Sequence, residues 1–269
     1  MNSNWLNQQV LSSTEQWDRS LTTFYPETKS WMNDPISYCS HLTETCNYLN
    51  AAKLINWDCY LVNNSIVLDV GCGGGWLSGF LSKNPKITKI LAIDSSANYL
   101  ENFLPPVVLQ LNGDISKIHT VQALFAPIML DSQSVDLIVI SSALHHAESM
   151  STVLGEFNRV LKPNAYLIIL NETPEGNYRF MLQTFKAFVK ICVANACKNY
   201  RPYTQKISAG AHLNNPYLGD IDYPDWYWKK AIRATGFDLI EYFDSKLSTI
   251  FGLKGRSLKH FICQKVMDK

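Results

Sequence analysis

The sequence predicts an α/β fold: a doubly wound sheet, mostly parallel, with an antiparallel hairpin at one edge. Three observations predict it. Five short runs rich in Val, Ile and Leu, at 66–70 (IVLDV), 89–93 (KILAI), 107–111 (VVLQL), 135–140 (VDLIVI) and 165–170 (AYLIIL), have the unbroken apolar character of strands covered on both faces. Segments long enough for crossover helices separate these runs, so strand and helix alternate. The first run passes directly into glycines, Val67 to Trp76 reading VLDVGCGGGW, and a strand that enters a helix through glycines can bring bare backbone to a ligand.

Residues 1–60 hold Trp5, Trp17, Tyr25, Trp31, Tyr38, Tyr48 and Trp57 and read as several helices and turns, a helical cap ahead of a domain spanning 61–269. Helices are expected at Gly74–Ser82, Ala97–Phe103, Ile118–Phe125 and Ser151–Leu161, the last carrying Val153, Leu154, Phe157, Val160 and Leu161 at helical spacing. The alternation stops after the fifth strand. Residues 171–223 are an insertion, expected to form a lid, in which the amphipathic stretch 181–198 reads as a helix packed on the sheet domain. A polar, aromatic segment with Tyr200, Arg201, Tyr203, His212 and Tyr217 follows it. Asp220, Asp222, Tyr223 and Trp226 read as the start of a capped helix with a core-facing aromatic side. Pro224 suits the first turn of that helix and Gly236 its end. The runs 237–242 and 259–264, separated by Gly252, Lys254 and Gly255, are expected to pair as the edge hairpin.

A chain of 269 residues, 46% hydrophobic, buries a sizeable core. With 24 basic and 23 acidic side chains, its net charge of +1 gives no case for nucleic acid or an acidic membrane surface and favours a small partner. Seven cysteines without a CxxC pair, and no secretory n-region or h-region, read as free thiols in a reducing cytoplasm. No run of about 18 uninterrupted apolar residues is present, so no membrane span is expected.

The glycine turn distinguishes two ligand classes. A dinucleotide fingerprint, GxGxxG, would start at Gly71 and Gly73 but meets the indole of Trp76 where close helix–strand packing needs no side chain. The alternative is a GxGxG turn after an acidic strand residue, Asp69-Val70-Gly71-Cys72-Gly73-Gly74-Gly75. Here the sequence resembles the class I S-adenosylmethionine-dependent methyltransferases, and the resemblance implies a Rossmann-like fold with that cofactor. By the same resemblance Asp69 lies near the methionine ammonium, and Asp94, followed by Ser95 in LAIDSS, accepts from both ribose hydroxyls. Asp114, in LNGDI, is placed at the adenine amino group with Ile115 on the ring, and Ser141 turns its carbonyl toward the ammonium. The turn before the fifth strand, LKPNAY, is similar to the family's LKPGG with Asn164 for a glycine, and asparagine tolerates the left-handed conformation. Cys72 reads as a small packing residue rather than a nucleophile.

Methyl transfer from a sulfonium is an in-line displacement, so alignment and exclusion of water are the enzyme's main tasks. A hydroxyl acceptor must also lose a proton, and His145-His146, after the fourth strand in ALHH, stand where a base would be needed. Of the two, His146 is the favoured base. No Asn/Asp-Pro-Pro-aromatic signature follows that strand, which disfavours adenine N-methylation. The expectation is a methyltransferase of a small molecule, acting on oxygen of a sugar-like or natural-product acceptor. Carbon methylation of a quinone-like or lipid acceptor and a non-catalytic cofactor-binding module are the alternatives. No metal is expected, and the sequence does not determine the oligomeric state.

Overall fold

The computed structural model describes residues 3–7, 34–196, 212–215, 220–248 and 257–266. Its main element is an eight-stranded sheet built from β1 (Ser3–Asn4), β2 (Ser65–Val70), β3 (Ile87–Asp94), β4 (Ile118–Gln122), β5 (Val135–Ser141), β6 (Leu161–Glu172), β9 (Phe237–Ser248) and β10 (Ser257–Lys265). The strand order is β1-β4-β3-β2-β5-β6-β10-β9. Pairing is parallel from β1 through β6, and β10 joins β6 and β9 antiparallel, forming the expected edge hairpin. The strand order turns in opposite directions from β2, toward β3 and toward β5. The mouth between their carboxyl ends is therefore where open α/β sheets bind ligands.

Alternation along the central strands sends side chains to two cores. Leu68, Ile138, Ile140, Leu167 and Ile169 pack on one face beneath α5 (Met150–Val160) and α7 (Asp225–Ala234), through Leu154, Phe157 and Trp228. Val67, Ile90, Val139 and Ile168 pack on the other, beneath α3 (Trp76–Leu81) and α4 (Leu104–Gln110), joined by Tyr38 of α1 (Pro35–Ser40) and by Trp57. A further short helix, α2 (Tyr48–Ala52), follows α1. Asn164 is left-handed, with φ of 60°, inside β6 where its register against β5 shifts.

Two expectations are corrected. Residues 107–111, read as the third strand, belong mostly to α4. Pro105 and Pro106 occupy its first turn, where a missing N–H costs nothing, and Val107 and Val108 are buried while Leu109 and Gln110 are exposed. The strand that follows β3 is instead β4, in the stretch 118–125 read as a helix. The described part of 1–60 also includes a strand, β1, which extends the sheet beside β4 through the Trp5 amide on the Gln122 carbonyl at 2.9 Å.

The insertion after β6 holds α6 (Asn177–Ala196) and a two-stranded sheet of β7 (His212–Asn215) and β8 (Asp220–Asp222). Asp220 and Asp222 therefore lie in a strand ahead of the helix start. Tyr200, Arg201, Tyr203 and Tyr217 lie outside the described residues. Among the described residues no helix is long and apolar enough to cross a membrane.

Candidate active site

The glycine loop leaves β2 at Val70 and enters α3 at Trp76. Gly71, Gly73 and Gly75 all take positive φ, of 62°, 51° and 76°. All three also admit neighbours at close range, with a Cβ on Gly75 standing 2.6 Å from Leu104 Cγ. A Cβ on Gly71 would stand 2.8 Å from the Ala143 Cβ, and one on Gly73 would stand 2.5 Å from the Tyr38 hydroxyl. The loop is held from three sides. Gly73 N–H donates to Asp94 Oδ2 at 2.8 Å, Gly74 N–H to the Tyr38 hydroxyl at 3.1 Å, and Gly75 N–H to the Cys72 carbonyl at 2.9 Å. Amides used in this way are not aimed at a pyrophosphate, and Trp76 is 3% exposed in the core. Both points agree with the reading against a dinucleotide. Burial pushes the Cys72 thiol well above its ordinary value, away from nucleophile chemistry.

Charge around the loop is carried by carboxylates. Asp94 ends β3 and accepts from Gly73 and, through Oδ1, from Ser96 N–H at 2.9 Å. A carboxylate's two oxygens can each accept more than one hydrogen bond, hydroxyls included. Asp69 lies lower, inside β2 and 1% exposed, with Oδ2 accepting from Ser78 of α3 at 2.6 Å. Burial pushes its carboxyl up to about 7, against the lowering effect of Ser78 and with a further push from Asp94. A cation bound above these two acids favours the ionised form of both. The cradle thus suits a sulfonium bearing an ammonium group better than a phosphate.

On the other side of the loop, β5 ends at Ser141 and turns through Ser142, at φ of 50°, into a short 3₁₀ turn, Leu144–His146. Asn171 Nδ2 donates to Ser141 Oγ at 2.9 Å, and the Tyr48 hydroxyl of α2 donates to Ser142 Oγ at 2.9 Å. Glu172, the last residue of β6, organises the histidine turn. Its Oε1 accepts from Ala143 N–H at 3.1 Å and Leu144 N–H at 2.9 Å, and its Oε2 meets His145 Nδ1 at 2.8 Å. The carboxylate side chain is 1% exposed and the imidazole 24%. An ionised Glu172 accepts at all three contacts, which makes Nδ1 of His145 the donor and puts the ring's basic lone pair on Nε2. The His146 ring lies 4.2 Å from that of His145, centroid to centroid. Tyr223 pins the end of the turn through its hydroxyl on the Ala147 carbonyl at 2.8 Å.

Gly71, Gly73, Asp94, Ser95, Ser141, His145 and His146 therefore meet at the carboxyl ends of β2, β3 and β5, with Asp69 beneath them. Asp114 and Ile115 do not. They precede β4, which runs parallel to β3, and so lie at the edge where the strands begin. Asp114 caps a turn there through Ser116 N–H at 3.0 Å, and its own amide donates to Ser82 Oγ at the end of α3 at 2.8 Å. The misplacement follows from the misread third strand. The residue at the carboxyl end of β4 is Gln122, in register with Asp94. Its Nε2 donates to the Ser95 carbonyl at 3.0 Å and its Oε1 accepts from Asn4 at 3.1 Å. A strand assigned at 118–122 points to Gln122, and an acid two residues past the fifth predicted run, in LIILNE, points to Glu172; nothing in the sequence singles out Tyr38.

Comparison with known proteins agrees with this fold. The sequence model of a family described as a methyltransferase domain matches residues 68–169. The ubiquinone/menaquinone biosynthesis C-methyltransferase UbiE of Campylobacter jejuni is 23% identical over 204 residues, 71% of this chain and 79% of that protein. A chloroplastic methyltransferase of Arabidopsis thaliana is 27% identical over 116 residues, 43% of this chain, which spans only 33% of its length. In fold, the 1,6-didemethyltoxoflavin-N1-methyltransferase of Burkholderia thailandensis, solved with S-adenosylhomocysteine, superposes with a TM-score of 0.58 at 12% identity, covering 94% of this chain and 91% of that one. Residues 68–169 carry a methyltransferase domain, set in the Rossmann-like fold of the class I S-adenosylmethionine-dependent methyltransferases. S-adenosylmethionine is its cofactor.

Proposed function

We propose that the protein transfers the methyl group of S-adenosylmethionine to a small-molecule acceptor whose hydroxyl is deprotonated by His145. The observation that carries this reading is the His145–Glu172 contact of 2.8 Å, with Glu172 itself held by two backbone amides. When bound, the cofactor supplies an electrophilic methyl on a cationic sulfur. The chain's part is to hold and to deprotonate. Gly71, Gly73, Asp94 and Ser95 form the wall beside β3, Asp69 sets the charge beneath, Ser141 closes the β5 side, and Gln122 takes the adenine side assigned by sequence to Asp114 and Ile115. His145 accepts the acceptor's proton at Nε2 while Glu172 stabilises the imidazolium at Nδ1, and His146 packs beside it. This reverses the order of the two histidines expected from sequence.

Transfer to oxygen of a sugar-like or natural-product acceptor is the first reading, because a hydroxyl is the acceptor that needs such a base. A second reading is favoured by the likeness to UbiE over most of both chains: transfer to the ring carbon beside an ionised hydroxyl of a quinol, for which the same base serves. The two are separated by a reaction with carbon-13-labelled methyl donor and a small-molecule extract. An O-methyl resonance in the product supports the first, a ring C-methyl resonance the second, and label only in protein or nucleic acid refutes both.

A further inference from the structure

One face of α6 is apolar and lies in solvent. Tyr178, Met181, Leu182, Phe185, Phe188 and Val189 recur at three- and four-residue spacing and so share one side of the helix. Tyr178, Met181, Phe185 and Phe188 are 72%, 65%, 64% and 62% exposed. This departs from the expectation of a lid helix packed on the sheet. A helix of a globular domain ordinarily buries such a stripe, and an exposed apolar patch of this extent marks an interaction surface.

The charge along this stretch of sequence is one-sided. Arg179, Lys186, Lys190, Lys198, Arg201 and Lys206 lie between Gly176 and Gly219, and no Asp or Glu does, although the whole chain carries only +1. The near balance of the total conceals a strongly basic stretch. The exposed side of α7 adds to it, with Trp226, Lys230 and Arg233 at positions one and two turns apart. The two helices begin side by side, since Trp226 N–H faces Asn177 Oδ1 at 3.4 Å and Asp225 N–H donates to the Glu175 carbonyl at 3.1 Å.

We propose that α6, together with the exposed start of α7, docks the protein on an anionic lipid bilayer. The apolar stripe enters the boundary between headgroups and acyl chains while the flanking lysines and arginines meet lipid phosphates. A second copy of the chain is the poorer occupant, because it offers the same cation-rich face, on which Glu175 and Asp225 are already paired within the chain with Arg179 and Lys229. A nucleic acid matches the cations but leaves the phenylalanines in water. The inference does not depend on the acceptor or on where the methyl group goes.

The test is co-sedimentation of the full-length protein with phosphatidylcholine vesicles, with and without phosphatidylglycerol, at low and high salt. The expected result is binding to the phosphatidylglycerol vesicles that salt weakens. It falls at least about tenfold in the Phe185→Ser, Phe188→Ser double variant, whose side chains are already exposed and whose melting temperature is unchanged. Lys186→Glu with Lys190→Glu also weakens binding, while leaving the apolar stripe in place. Absence of binding to anionic vesicles, equal binding by the double serine variant, or a wild-type dimer that those serines dissociate overturns the proposal, as does RNA competing the protein off the vesicles at equal phosphate.

Discussion

The Asp94 carboxylate holds the glycine loop that it faces: Oδ2 of Asp94 accepts from Gly73 N–H at 2.8 Å, so one acid both shapes the cradle and borders the cofactor's place. Asp94→Ala is expected to weaken S-adenosylmethionine binding by about 1–3 kcal/mol, measured by calorimetric titration. Asp94→Asn keeps an acceptor for Gly73 but presents one oxygen instead of two, and is expected to fall between them.

Gln122 and Asp114 give opposite expectations at the two ends of β4. Gln122→Ala removes the bridge between the Ser95 carbonyl and Asn4 and should lower cofactor affinity by about 1 kcal/mol. Asp114→Ala should leave affinity unchanged and cost only the cap of a short turn. An affinity loss in Asp114→Ala would return the adenine to the place first read from sequence.

The Tyr38 hydroxyl makes the loop's need for glycine conditional. Gly73→Ala places a methyl group against that oxygen and forces a side chain into the left-handed region, which itself costs about 1–2 kcal/mol. Its thermal melting point is expected to drop. Combining it with Tyr38→Phe, which removes the oxygen, should recover part of the loss, so that the double variant is less destabilised than the two singles added.

His260 ties the hairpin to the site. It lies fully buried in β10, stacked on Phe243 at 4.7 Å, with Nδ1 accepting from Asn171 N–H at 3.4 Å. Burial pushes its pKa from 6.5 down to about 4, so the unfolded chain takes up its proton first as pH falls. Its contribution to stability is complete above about 6.5 and is lost progressively toward 4. Asp69, raised toward 7, acts with the opposite sign over much of that window, so the raw slope is a sum. The informative quantity is the difference from His260→Phe, measured by denaturant titration: the variant should start less stable at neutral pH and lose less on acidification.

Most of the fold was legible because strands covered on both faces show as continuous apolar runs, and β2, β3, β5, β6 and the hairpin were found that way. The exception has a physical cause. VVLQL is apolar enough for a strand, but Pro105 and Pro106 fix a helical first turn in front of it, while IHTVQ, of the same length, is a more polar strand beside the two-residue β1 near the sheet's edge. That one exchange carried Asp114 and Ile115 to the wrong end of the sheet. The motif residues read at the carboxyl ends of β2, β3 and β5 did converge. Gln122 becomes legible once 118–122 is read as a strand and Glu172 once the run before it is extended, although its contact with His145 spans 27 residues; Tyr38 depends on a contact with Gly74 across 36 residues, which no local pattern encodes.

The most direct test of the central claim is transfer of labelled methyl from S-adenosylmethionine into the small-molecule fraction of a cell extract, by the wild type, His145→Ala and Glu172→Gln, with cofactor affinity measured alongside. Label in that fraction, reduced at least about 100-fold in His145→Ala and less severely in Glu172→Gln at unchanged cofactor affinity, is the expected result. Undiminished labelling in His145→Ala, or cofactor bound with no label transferred to any fraction, would contradict it.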